Sequence, residues 1–222
     1  MNTLVIFSVL GIFGGVLCAV GDILFDLKGP GNQKLGTSKN IDSNWSKMSD
    51  WRFGASILCA YIGDCCVALG ILSLAYRMYD RSPVLAYITG ICGVAGSIGG
   101  FFVHTLVCLQ ALIYKGITEK STFEAADYTL EKIYRQVMVT FFLAYAILMI
   151  PCVCSVIAIL NGTLDVPVWC VLLNSIVFLI IGVALRKIDP KRFQDLPGIV
   201  MPSLGLSMIG VIGLIDLLQG SL

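Results

Sequence analysis

The sequence predicts an all-α polytopic membrane protein, a bundle of about six transmembrane helices forming one domain over residues 1–222. Three observations predict it. Only 13% of the 222 residues are charged, about half the share of a soluble domain. Hydrophobic residues make up 57%, and mean hydropathy is +0.89. Six stretches also reach the roughly 20 apolar residues that a crossing helix needs. The same composition excludes an ordinary soluble enzyme and a disordered chain. With a net charge of only +1, no nucleic-acid partner is expected.

The first span covers about 3–24. It lacks the basic start of a signal peptide, and Asp22 and Asp26 stand where a small-residue cleavage site would be, so it reads as retained. The loop 27–50 is rich in Gly, Ser, Asn and Lys and ends in Trp45, Met48 and Asp50. Trp45 reads as an interfacial anchor, with a cover folded against the membrane face as the alternative, and Asp50 as the N-cap of the next helix. The second span covers about 51–76 and the third about 84–113. In the segment 115–136, Ser121-Thr-Phe-Glu124 fits a capping box. The helix it starts runs unbroken into the fourth span, about 137–160, with Glu131 and Arg135 paired at i,i+4 and Pro151 kinking it or ending its regular part. The fifth span covers about 166–185, the loop 186–195 follows, and the sixth covers about 199–218. No internal repeat of a transporter type is detectable.

Six spans sort the basic residues. One side collects Lys28, Lys34, Lys39, Lys47, Arg52, Lys115, Lys120, Lys132, Arg135, Arg186, Lys187, Lys191 and Arg192, while the other has Arg77 and Arg81. Thirteen against two places both termini outside and the long loops in the cytoplasm. The nine cysteines all fall within spans and read as small buried hydrophobes. With one histidine in the chain and no CxxC pair, no metal site is expected, and no nucleotide-binding loop suggests a cofactor.

An ionisable side chain inside a span is costly and turns inward to a partner. Asp22, Asp64, His104 and Asp216 are the four. At about 100° per residue, Ser8, Gly11, Gly15, Cys18, Ala19, Asp22 and Asp26 share one face, and so do Ala60, Asp64 and Ala68. Gly90, Gly93, Ser97, Gly100, His104, Cys108 and Ala111 form a third stripe. Gly198, Pro202, Gly205, Gly213, Asp216 and Gly220 form a fourth. Small residues let helices approach closely, so each titratable group lies on a packing face. At about 1.5 Å per residue, Asp22 and His104 both sit towards the cytoplasm and can meet. Asp64 is near the midplane, and Asp216 lies towards the outer face, where it reads as an interface cap.

The candidate catalytic residues are therefore His104, Asp22 and Asp64. Asp26, Ser97, Cys108, Gln110 and Asn174 are candidate substrate contacts. A histidine beside a carboxylate is an acid–base unit, suited to isomerisation, cyclisation or hydrolysis of an apolar or lipid-like substrate. A proton-coupled transporter and a non-catalytic assembly subunit remain open, and a structural Asp–His lock between helices competes with all three. Expected partners are membrane lipids and an apolar small molecule, and a homo-oligomer is compatible with the small-residue stripes. A cavity open to lipid or cytoplasm favours an enzyme, a polar path from His104 through Asp64 to Asp216 favours transport, and a filled interior favours assembly.

Gly21-Asp22, Met48-x-x-Trp51-Arg52 and the lone His104 resemble a group of uncharacterised bacterial multi-pass membrane proteins. The resemblance covers the first half of the chain. It implies a protein of the bacterial cytoplasmic membrane and no particular activity.

Overall fold

The computed structural model describes residues 2–189, 193, 196 and 198–219. Six α-helices are found among them: α1 (Asn2–Asp26), α2 (Asp50–Tyr79), α3 (Pro83–Thr118), α4 (Phe123–Leu160), α5 (Ser175–Ile188) and α6 (Met201–Gln219). Five of these, all but α5, are long and apolar enough to cross a membrane. A two-stranded antiparallel hairpin, β1 (Lys34–Leu35) and β2 (Ile41–Asp42), sits in the first loop. Lys191, Arg192, Asp195 and Gly220, which enter the charge count, the loop bounds and the fourth stripe, lie outside the described residues.

The helix boundaries have local causes. Pro83 opens α3 at the one helical turn where a missing N–H costs nothing. Thr122, one residue later than the expected Ser121, caps α4 by accepting from Ala125 N. The helix then runs unbroken through Pro151, with the Glu131–Arg135 pair formed at 2.7 Å. It stops at Asn161 and Gly162, the latter at φ +74°, a left-handed turn that glycine adopts without strain. Ser49, not Asp50, is the N-cap of α2, and Asp50 instead pairs with Lys115.

The fifth stretch is where the structure departs from a continuous span. Residues Val168–Leu172 form a 3-10 turn, and α5 begins only at Ser175. Pro167 and Asn174 break the segment. Asn174 accepts from Ile176 N and Val177 N and donates to Val171 O, which makes it a helix cap buried at mid-bundle. With 14 residues, α5 is only about 21 Å long, short of the ~30 Å hydrocarbon core.

Consecutive helices are antiparallel, and α6 returns to pack on α1. Gly11 faces Gly70 of α2, Gly14 faces Gly63, Gly15 meets Ser207 of α6, and Gly210 meets Ser8 and Ile12. These registers put Asn2 and Gln219 at the same end of the bundle. The predicted stripes on α1 and α3 are packing faces, with Gly93 set against Ile71 and Gly100 against Asp64. A Cβ at Gly14 would lie 2.5 Å from Gly63 O and 2.7 Å from Cys66 Cβ. Gly14→Leu is therefore expected to force α1 and α2 apart and cost at least about 1–3 kcal/mol, read as a lower thermal midpoint in detergent.

The helices form an open ring. The order round it is α4, α3, α2, α1, α6, α5, and α4 packs closely on α3 but only lightly on α5. The seam between α4 and α5 is the gap in the ring.

Each end is closed. At one end the hairpin loop folds over the bundle: Ile41, Trp45 and Met48 are buried with Phe25, Phe53, Tyr114, Ala126 and Leu130. Trp45 is 2% exposed and stacks edge-on to Tyr114, so it belongs to a cover and not to an interfacial anchor. Asp127 fastens the loop by accepting from Thr37 N and Oγ1. Arg52 donates to the Ile23 and Leu24 carbonyls in the last turn of α1 and to the Leu27 carbonyl just beyond it, which suits a cation at a helix C-terminus.

At the other end Asp216 accepts from Arg77 Nε at 2.5 Å and from Asp165 N at 2.6 Å, while Arg81 grips Asp165 through two nitrogens. Hydrogen bonding from Arg81 holds the exposed Asp165 carboxyl below its ordinary value. A carboxyl lowered in the folded state stabilises it above the unfolded value and loses that contribution only as pH falls through the lowered one. Amide protection factors over 161–166 should therefore hold down to about pH 4 and fall below it, whereas Arg81→Gln should lower them already at neutral pH.

Candidate functional site

The structure brings His104, Asp22 and Asp64 to one cavity. His104 projects from α3 towards the junction of α1 and α2. Its Nε2 lies 2.7 Å from Ser56 Oγ, and that hydroxyl donates to the Gly21 carbonyl, also at 2.7 Å. A carbonyl only accepts, so the single Ser56 proton is committed to Gly21. The Ser56 oxygen must then accept from the ring, which assigns the proton of a neutral His104 to Nε2. Nδ1 is left with its lone pair, facing Asp22 Oδ1 at 3.7 Å, an ion-pair distance too long for a direct hydrogen bond. Asp22 is held from its other side by Ser203 of α6, whose hydroxyl donates to Oδ2 at 2.5 Å. Phe25 packs edge-on against the imidazole at 6.1 Å and walls it off from the cap.

Ser56, His104 and Asp22 are the residue types of a hydrolytic triad, but Ser56 does not serve as a nucleophile here. It is fully buried, it gives its proton to the backbone, and it does not line the cavity. Its role is to fix the ring. Cys108, also fully buried, lies behind it with Sγ 3.6 Å from Ser56 Oγ.

The cavity has a volume of about 540 Å³ and is lined from all six helices. Asp22, Asp26, Asp64 and His104 stand on one wall. Phe141, Phe142, Tyr145 and Met149 of α4 face them, with Leu179 of α5 and Ser203 of α6 completing the lining. Phe142 and Leu179 line the cavity and are yet 64% and 44% exposed, which sets its mouth at the α4–α5 seam. Asp26 is paired with Lys28, itself close to the buried Asp42 of the cap. Asp64 is 7% exposed, and its one donor among the described residues is the Cys18 thiol, 3.9 Å from Oδ1. Gly100 makes room for its carboxylate: a Cβ there would come within 3.3 Å of Oδ1.

Of the other candidate contacts, Ser97 is buried without a hydrogen-bond partner and does not line the cavity. Cys108 and Gln110 do not line it either, and Asn174 is spent on capping α5 beside the lining residue Ser175. The nucleophile that hydrolysis would draw from Ser97 or Cys108 is therefore not at the site. Asp216 is far from it, locked to Arg77. Between Asp64 and Asp216 lie Val67, Ile71, Leu74, Ile209 and Ile212, each at most 1% exposed. No cluster of His, Cys, Asp and Glu able to hold a metal occurs among the described residues.

Sequence reasoning missed Ser56, Ser203 and the α4 aromatic wall. Ser56 had a signal: it continues the Ala60–Asp64–Ala68 stripe one turn back. Ser203 had none, because its neighbour on α1 follows only from the return of α6.

No curated protein and no solved structure matches the chain. A family model described as a family of unknown function (DUF6796) matches residues 1–220, well beyond the first half that carried the resemblance. The chain belongs to that family.

Proposed function

We propose that this is a multi-pass protein of the bacterial cytoplasmic membrane that takes an apolar or lipid-like molecule from the bilayer and performs acid–base chemistry on it. The observation that carries this reading is a cavity closed at both ends, open at a seam between two helices, and furnished with His104, Asp22 and Asp64. A side entrance on an apolar surface admits a molecule already dissolved in the membrane. The basic residues of the capped end, among them Lys34, Lys39, Lys47, Lys120, Lys132 and Arg135, against Arg77 and Arg81 at the other, support an orientation with the cap in the cytoplasm and both termini outside.

His104 Nδ1 offers a base lone pair, and Asp22 stabilises the imidazolium formed when it takes a proton. Protonated, that ring can return its proton at a second position of the substrate, with Asp64 standing in the same cavity. Protonation at one position and removal at another moves a double bond with no net change in atoms, so isomerisation is the reaction that the arrangement suits best. Transport has less behind it, because buried apolar side chains pack between Asp64 and Asp216. An assembly subunit would not need the 540 Å³ of empty space.

The test is proton exchange. Purified protein in nanodiscs of total bacterial lipid extract is incubated in D2O, and the extracted lipids are read by mass spectrometry. A species that gains one deuterium with wild type and not with His104→Ala is expected. Identical labelling for both proteins would overturn the reading.

A further inference from the structure

We infer that the cavity selects lipophilic cations, namely amphiphiles carrying one ammonium group on an apolar body. The inference deepens the reading above and rests on it for the location of the site.

The lining is lopsided in charge. It contains three carboxylates and one histidine, and no lysine or arginine among the described residues. Two of the carboxylates are answered from within, Asp26 by Lys28 and Asp22 by the Ser203 hydroxyl. Asp64 is not. More than nine-tenths buried, it has one weak thiol donor on Oδ1 and no partner for Oδ2 among the described residues. A buried carboxyl without donors keeps a proton unless a cation takes its place, and an ammonium group does so while leaving the rest of a ligand apolar.

The opposite wall points the same way. Phe141, Phe142 and Tyr145 present rings across the cavity from the carboxylates, and aromatic faces attract quaternary and tertiary ammonium groups. Phe142 and Tyr145 are also exposed at the mouth, where they would cover the body of a ligand whose charged end has reached Asp64. A volume of about 540 Å³ suits a drug-sized molecule. An anionic lipid headgroup would meet uncompensated negative charge and is excluded.

The probes are tritiated dodecyltrimethylammonium, its neutral isostere 2,2-dimethyltetradecane, and dodecanoate, each measured on the full chain in phosphatidylcholine nanodiscs against empty nanodiscs. Saturable binding is expected for the ammonium compound alone. Asp64→Asn should weaken it at least tenfold, Asp64→Glu should retain it, and the surface control Asp80→Asn should not change it. Ala146→Trp, which fills the cavity from the α4 wall, should abolish it even where Asp64→Asn fails to fold. His104→Ala should leave the affinity within threefold while removing deuterium exchange, so failure of the acid–base reading and failure of cation selection give different results. Equal binding of the neutral isostere or of dodecanoate, unchanged binding by folded Asp64→Asn, or binding that survives Ala146→Trp would each overturn the inference.

Discussion

His104→Ala is expected to lower turnover by about 100- to 10,000-fold while leaving the protein folded. The ring is 16% exposed at the cavity wall, and its loss enlarges a space that is already there. Asp22→Asn should be almost as damaging, for a different reason. The amide oxygen can still accept from Ser203, so the helix contact survives. The amide nitrogen then faces Nδ1, and no negative charge remains to stabilise the imidazolium that the reaction forms. Both variants should elute as monodisperse protein with a thermal midpoint close to wild type. If either disappears from the membrane fraction, the pair is a structural lock between helices. Ser56→Ala provides the complementary case. It frees Nε2 and lets the imidazole change tautomer, so the pH–rate profile should shift with little change in substrate affinity, which a merely structural contact would not produce.

The largest stability effect is expected at the opposite end. Asp216 is 1% exposed, and its two oxygens are held by Arg77 and by the Asp165 amide. Arg77→Ala would leave a buried carboxylate with a single donor. Removing one partner of such a pair costs about 3–5 kcal/mol, and the partial exposure of Arg77, 30% at the side chain, favours the lower figure. Replacing both partners, Arg77→Met with Asp216→Leu, should recover much of the loss, because neither charge is then stranded. A thermal-midpoint series of the two single variants and the double variant in one detergent checks this. A double variant no more stable than the worse single one would show that the pair does more than neutralise itself.

The long helices and their packing faces were legible because two simple signals suffice for them, an apolar length and a small residue at every turn. Glycines 11, 15, 93 and 205 all face a neighbouring helix as the stripes imply. The convergence of Asp22 and His104 was legible as well, from depth alone. The broken fifth segment was not, because hydropathy averages over Pro167 and Asn174 while backbone geometry does not. Nor was the role of Trp45: its preference for an interface and its burial in a cover draw on the same amphipathic ring. The cavity was the least legible feature. Stripes report where helices touch, and the cavity exists because α4 and α5 barely do.

The antiparallel return of α6 onto α1 has a consequence for biogenesis. Ser203, which holds Asp22, lies 181 residues downstream of it. During synthesis, α1 therefore enters the bilayer long before the hydroxyl that satisfies its aspartate has been made. Until α6 inserts, Asp22 lacks that donor, and only the preceding helices shield it from hydrocarbon. A nascent chain arrested before Ser203 carries an incompletely satisfied acid in the membrane.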